Sequence, residues 1–214
     1  AGWFLEDVDD NSRDLNKEQT MKLVNNSLFD VDRLEGLVDN ILFAARIEND
    51  NYGFSREPIN LSQLVEDLAE KFSLGAVQVQ SQTESSIWWE GDRTGISSVL
   101  VNLIENGIKY SQGAPKIELN LTRNGEYLKI MVKDWGIGIP DSEKVKIFEK
   151  FYRIGNEDTR STKGTGLGLY IVKRVIELHD GKIEVSDNQP HGTCFTITLP
   201  ANINEYELDE ELRA

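Results

Sequence analysis

The sequence predicts an α+β fold: a two-layer sandwich with helices on one face of a mixed sheet, preceded by a long helix. Three observations predict it. From about Lys17 to Asn49, apolar residues recur at helical spacing without a proline. Beyond Pro58, short helical and strand patterns alternate between turn signals. The alternation lacks a strict βαβ repeat, which favours segregated layers over a doubly wound parallel sheet.

In the first element, Leu23, Leu28, Val31, Leu34, Val38, Ile41, Leu42 and Ala45 recur at steps of three, four or five. Charged residues fill the positions between, so one apolar stripe runs along some eight turns. A stripe of that length needs partner helices, and a hairpin or bundle supplies them. Trp3, Phe4, Leu5 and Val8 read as the end of a preceding helix. Asn51-Tyr52-Gly53 then punctuates the chain, giving units at 1–52, 53–201 and 202–214. Asn60 or Ser62 can cap a helix through Lys71. Val77–Gln82 and Ser86–Trp89 read as short strands. Asp92 or Thr94 opens a helix to about Tyr110. Lys116–Thr122 and Tyr127–Lys133 pair around Asn124-Gly125. Ser142–Phe151 reads as helix, 154–165 as a polar loop and Gly168–His179 as helix. Lys182–Asp187 and Thr193–Leu199 close the fold.

Composition excludes several functions. The 214 residues carry a net charge of −14, a poor match to nucleic acid. A single cysteine, Cys194, excludes an intramolecular disulfide and a multi-cysteine metal centre, and two histidines, His179 and His191, leave little room for a His-based one. No apolar run approaches the ~20 residues of a membrane span, and no export signal is visible. The charge is uneven. Residues 1–50 hold 12 acids and 5 bases, and the last 14 residues hold 5 acids and Arg213, reading as a disordered acidic tail. Residues 144–163 instead hold six bases (Lys144, Lys146, Lys150, Arg153, Arg160, Lys163) against three acids. That segment is either a solvated face or a phosphate-facing loop.

Three motifs carry chemistry. In Asn102-Leu103-Ile104-Glu105-Asn106-Gly107-Ile108-Lys109-Tyr110, the steps of four and three put Asn102, Asn106 and Lys109 on one helix face. Two carboxamides and an ammonium suit a hard cation and phosphate, or form a plain polar face. Asp134-Trp135-Gly136-Ile137-Gly138-Ile139-Pro140 follows a strand. Its glycines admit close backbone approach, and its carboxylate can accept from an exocyclic amine. An ordinary strand-to-helix turn is the alternative. Gly164-Thr165-Gly166-Leu167-Gly168-Leu169 opens a helix and offers free N–H groups at its positive end. It matches neither the dinucleotide fingerprint nor a P-loop.

In this order the motifs resemble the N, G1 and G2 boxes of the ATP-binding domain of sensor histidine kinases. That domain belongs to the superfamily shared with gyrase, mismatch-repair ATPases and Hsp90-type chaperones. Ile147-Phe148-Glu149-Lys150-Phe151-Tyr152-Arg153 resembles its F box, and Gly192-Thr193 before the last strand also fits. The resemblance covers about 58–200. Upstream, Asp32–Leu42 and Arg46-Ile47-Glu48 resemble the second helix of the kinase dimerisation hairpin. The resemblance implies that Asn106, with Asn102 beside it, ligates Mg²⁺, and that Asp134 receives the adenine amino group. Lys109 and Arg153 would meet the phosphates, and with Asn102 they form the implied catalytic set. Tyr110 would pack by the nucleoside, and Gly136, Gly138, Gly164, Gly166 and Gly168 would allow backbone approach. Ile139, Phe151, Thr165, Leu167 and Thr193 would line the same site. The basic stretch becomes a lid over the triphosphate, with Lys163 helping.

Two departures stand out. Gly107 replaces the family's usual alanine, loosening the helix by up to about 1 kcal/mol. The phosphoacceptor motif, a His followed by an acid and then Thr-Pro, occurs nowhere. His179 reads as a helix C-cap and His191 as a turn residue. Gly2-Trp3 resembles the Gly-Tyr downstream of the acceptor, which would then lie about ten residues before residue 1. The chain therefore reads as a cytoplasmic histidine kinase fragment that binds ATP without labelling itself. The implied partners are a second copy through the hairpin and a response regulator; nucleic acid and membrane contact are not expected. The competing class is a nucleotide-gated interaction module, such as an anti-sigma serine kinase or a degenerate kinase, which generally lacks a dimerisation helix. ATP-hydrolysing relatives place a glutamate where Asn102 stands, and an amide is no general base.

Overall fold

The computed structural model describes residues 17–48, 53–84, 86–155 and 164–202. The expected helix remnant at Trp3–Val8, the punctuation at Asn51-Tyr52, the lid residues Arg160 and Lys163, and the acidic tail lie outside them. The chain forms two compact units, residues 1–39 and 40–214. Helix α1 (Lys17–Glu48) matches the predicted first element. In the first unit, Leu23, Val31, Leu34 and Val38 are 50–60% exposed, so the apolar stripe lies open.

In the second unit the C-terminal end of α1 is packed. Ala44 and Ile47 are buried in the core. Glu48 accepts from Lys150 Nζ at 2.8 Å and from the Tyr170 hydroxyl at 2.8 Å. The Lys150 ammonium, then the Tyr170 hydroxyl, hold its carboxyl below the usual range.

The remaining elements are β1 (Glu57–Asn60), α2 (Leu61–Phe72), β2 (Gln78–Thr83), β3 (Trp88–Gly91), α3 (Arg93–Lys109), β4 (Lys116–Asn124), β5 (Tyr127–Asp134), α4 (Gly168–Leu178), β6 (Lys182–Asp187) and β7 (Thr193–Pro200). The five-stranded sheet runs β2-β4-β5-β7-β6. Only β2–β4 is parallel; the other three pairings are antiparallel. Strand alternation explains the two layers. Ile117, Leu119 and Leu121 share one face with Leu128, Ile130 and Val132 and with Phe195, Ile197 and Leu199, all at most 4% exposed. Burying each such side chain stabilises by roughly 1.5–3 kcal/mol, so this face needs the helices. The opposite face is polar. Glu118 stands directly across from Lys133, and the two pair at 2.8 Å.

Helix starts follow local chemistry. The Asn60 side chain accepts from Gln63 N–H at 3.0 Å and caps α2. Asp92 caps α3 by accepting from Gly95 N–H at 3.0 Å. Ser62, the other predicted cap, instead accepts from Ile87 N–H and donates to the Glu84 carbonyl.

Two expectations fail. Ser142–Phe151 is a series of turns around one 3₁₀ turn, Lys146–Phe148. The chain must leave that turn for Phe151 at φ 64°, which no helix allows. The strand expected at Ser86–Trp89 begins at Trp88, because Ser86 sits at φ 57°. Strand β1, which pairs with β3 in a separate two-stranded sheet, was not legible because Pro58 argues against a strand interior. Among the described residues, no helix is long and apolar enough to cross a membrane.

Candidate functional site

Strand alternation carries one acid onto the apolar face. After Leu128, Ile130 and Val132, the next inward residue of β5 is Asp134, opposite Ile117 and 7% exposed. A carboxylate so placed needs donors. Its Oδ1 accepts from Gly136 N–H at 2.8 Å and Thr193 N–H at 3.1 Å, and the Thr193 hydroxyl also serves the carboxylate. Burial nonetheless pushes the carboxyl above its ordinary range, outweighing those bonds and the nearby His191.

The turn after Asp134 docks on the end of α3. Ile137 N–H donates to the Tyr110 carbonyl at 3.2 Å. A methyl group at 136 would lie 2.6 Å from that oxygen, so glycine is required there. Gly138, at φ 74°, packs against the Gly192 carbonyl.

Helix α3 buries Ile96, Val99, Leu100, Leu103, Ile104 and Gly107, leaving Asn102, Asn106 and Lys109 half-buried on the other side. Asn102 donates Nδ2 to the Ser98 carbonyl at 2.9 Å. Its Oδ1 faces α4, where a methyl at 168 would come within 2.6 Å. Among the described residues, the Asn106 carboxamide has no hydrogen-bond partner. Lys109 Nζ lies 4.8 Å from the centre of the Tyr110 ring. A methyl at 164 would sit 2.7 Å from that ammonium. The first and third motifs, some sixty residues apart, are therefore in contact. The N-cap of α4, Leu167, provides no side-chain acceptor, so the positive helix end remains available.

The aromatic segment joins the same loop. Phe151 N–H donates to the Gly166 carbonyl at 3.0 Å, and Gly166 at φ 74° leaves no room for a methyl beside Phe151 and Tyr152. Thr165 Oγ1 accepts from Leu167 N–H at 3.3 Å. Tyr110 is exposed, Arg153 half-buried, and Lys163 outside the described residues. Leu167, 1% exposed, and Ile139, partly buried, pack on the core. The Phe151 ring is 62% exposed.

The basic stretch is less free than its composition implies. Lys144 pairs with Asp141 and Asp187, Lys146 with Glu143, and Lys150 with Glu48. Each of these three ammonium groups thus has a carboxylate neighbour within the chain. Sequence reasoning also missed Asn188 and His191, which touch the Asp134 turn from the β6–β7 hairpin. No spacing could reveal a contact across some fifty residues. Among the described residues, no cluster of three or more His, Cys, Asp or Glu could hold a metal ion.

Residues 91–203 match the family model described as histidine kinase-, DNA gyrase B- and HSP90-like ATPase. The chain is 32% identical over 188 residues to sensor protein kinase WalK of Staphylococcus haemolyticus, covering 85% of this chain and 31% of that protein. It is 33% identical over 181 residues to WalK of Staphylococcus epidermidis, covering 82% of this chain and 30% of the relative. The chain thus spans about a third of the length of these curated relatives. Among solved structures, the catalytic domain of histidine kinase ThkA superposes with a TM-score of 0.60 at 30% identity, over 69% of this chain and 96% of the other. Full-length ShkA in complex with AMPPNP gives 0.71 at 25% identity, over 87% of this chain and 39% of that one. The chain belongs to the histidine kinase-, gyrase B- and HSP90-like ATPase family and carries the ATP-binding catalytic domain of a sensor histidine kinase.

Proposed function

We propose that this chain binds Mg·ATP between α3, the β5 turn and the start of α4, and presents the γ-phosphate to a histidine in two-component signalling. The observation that carries this reading is the junction of three elements. A buried carboxylate (Asp134), the Asn106 carboxamide and the start of α4, the last two without a side-chain hydrogen-bond partner among the described residues, meet through the contacts of Tyr110, Lys109 and Asn102.

Each group has a distinct task. Asp134 commits one oxygen to backbone donors, and an ionised carboxylate has room for one more, the adenine amino group. Lys109 and Arg153 supply positive charge to the phosphates. The backbone of Gly164, Gly166 and Gly168 permits close approach at the helix end, with Lys163 joining from the lid. Asn106 and Asn102 would hold Mg²⁺, consistent with a hard cation that keeps most of its ligands as water and phosphate oxygen. That ion supplies charge neutralisation on the phosphates. With no base in this set, the work is positioning and electrostatics.

The phosphoacceptor is another residue than His179, which is 3% exposed with both ring nitrogens engaged. The open stripe of α1, with Leu23, Val31, Leu34 and Val38, supports pairing with a second copy. A response regulator is the proposed downstream partner; the structure of ThkA in complex with response regulator TrrA, similar at a TM-score of 0.66 and 26% identity, supports it.

Calorimetry with ADP and a non-hydrolysable ATP analogue in Mg²⁺ tests the reading. Binding is expected; with γ-labelled Mg·ATP in a separate assay, phosphate transfer in trans to a separate histidine-bearing helix is expected, with no label on this chain alone. Absence of any adenine-nucleotide binding would overturn it.

A further inference from the structure

The β6–β7 connection and the first residue of β7 reach the Asp134 turn at four points. Asn188 Nδ2 donates to the Asp134 carbonyl at 2.8 Å. The His191 Nδ1 lies 3.3 Å from the Gly136 carbonyl, which can only accept, so Nδ1 carries the proton. Thr193 N–H holds Asp134 Oδ1. Gly192, at φ 110°, packs so closely that a methyl there would overlap the Asp134 carbonyl oxygen. The connection is itself closed by Asn188 N–H donating to the Gly192 carbonyl at 3.0 Å. The ladder between β5 and β7 ends at Lys133 and Cys194. Beyond that point Asp134 keeps its partner Ile117 on the β4 side but has none on the β7 side, where the Asn188 side chain takes its carbonyl.

We propose that Asn188, supported by His191, is a positioning residue for adenine recognition: it fixes the main chain at Asp134 and so aims that carboxylate at the base. This rests on the reading that Asp134 meets the adenine. Asn188 is half-buried and His191 exposed, and both contact main-chain carbonyls of the turn. They act through the turn and touch no nucleotide. Loss of the Asn188 amide leaves the Asp134 carbonyl without its donor and frees the turn to drift. A hydrogen bond of this kind accounts for about a fivefold to tenfold change in affinity.

The test is a thermodynamic cycle read by ADP calorimetry at one pH and salt, with melting curves as the check on folding. Asn188→Ala is expected to weaken ADP binding about fivefold to tenfold. Asn188→Asp, which sets an acceptor against the Asp134 carbonyl at unchanged size, is expected to weaken it further. In an Asp134→Asn background, Asn188→Ala is expected to cost less than about twofold, because the residue it aims is already impaired. A wild-type chain that binds ADP while Asn188→Ala binds equally well would overturn this proposal alone. So would a loss of the same size in both backgrounds, which marks a general structural role. A wild-type chain that takes no ADP would overturn the reading of the site and this proposal with it.

Discussion

The imidazole of His179 accepts the backbone N–H of Asp92 at 2.9 Å, tying the end of α4 to the start of α3. The other ring nitrogen donates to the Val175 carbonyl at 2.8 Å, which fixes a neutral tautomer. Phe54 and Trp89 lie against the ring at 4.7 and 4.8 Å between centroids. Asp92 in turn caps the helix that bears Asn102, Asn106 and Lys109. A residue that looks like a helix terminator is therefore a strut beneath the site.

This strut is pH-sensitive. Burial holds the His179 pKa below its ordinary value, so the unfolded chain takes up a proton that the folded one refuses. The neutral ring's contribution to stability is present above the unfolded pKa of about 6.5 and declines as pH falls below it. Urea melts at pH 7.5 and pH 5.5 should show a drop for the wild type that shrinks in His179→Gln. His179→Ala should cost roughly 2–4 kcal/mol at pH 7.5, through the cavity and the orphaned Asp92 N–H.

In the proposed site, Asp134 sets stability against binding. Its raised pKa means that the charged carboxylate is disfavoured in the folded chain, so its contribution falls as pH rises through the acid range. Replacing the carboxylate by a carboxamide keeps a carbonyl acceptor for Gly136 and Thr193 and removes the buried charge. Asp134→Asn is expected to raise the melting midpoint of the free chain at pH 7 and to weaken ADP binding by about tenfold or more. Calorimetry and thermal melts on one preparation check both signs. Affinity in the wild type should also fall on acidification, as the carboxylate takes up its proton.

Gly107 is more than a loosened helix position. A methyl there would overlap Ile117 Cδ1 and come within 3.1 Å of Asp134 Cβ. The helix preference for alanine is worth about 1 kcal/mol, while overpacking costs about 1–3 kcal/mol. Gly107→Ala should therefore destabilise on balance. Ile117→Val removes the clashing carbon, so the double variant should recover most of the loss, which chemical denaturation of the four chains measures.

The end of α4 holds a stabilising opportunity. Gly181 N–H reaches the Ile176 carbonyl and Asp180 N–H the Glu177 carbonyl, a Schellman pattern with Asp180 in the left-handed region at φ 56°. Glycine fits that conformation without a Cβ penalty. The ion pair of Asp180 with Arg56 is solvent-exposed and offsets little. Asp180→Gly should raise stability by about 0.5–1 kcal/mol, read from the denaturation midpoint.

Much of this was legible in the sequence because it depends on local rules. The helical spacing of Leu23 to Ala45, the caps at Asn60 and Asp92, and the alternation in β4, β5 and β7 each follow from neighbours a few residues apart. So do the three motifs, whose glycines and amides announce close approach and polar ligation by residue type. What tertiary structure alone decided depends on contacts across tens of residues. Only the folded sheet makes Asp134 the inward carboxylate held by Thr193, and only packing turns Gly107 into a fit for Ile117. Lys144 and Lys150 read as part of a basic stretch, and only the fold sets Asp187 and Glu48 beside them. His179 and Asn188 were ordinary by position, since their partners, Asp92 and the Asp134 carbonyl, are brought near only by chain closure.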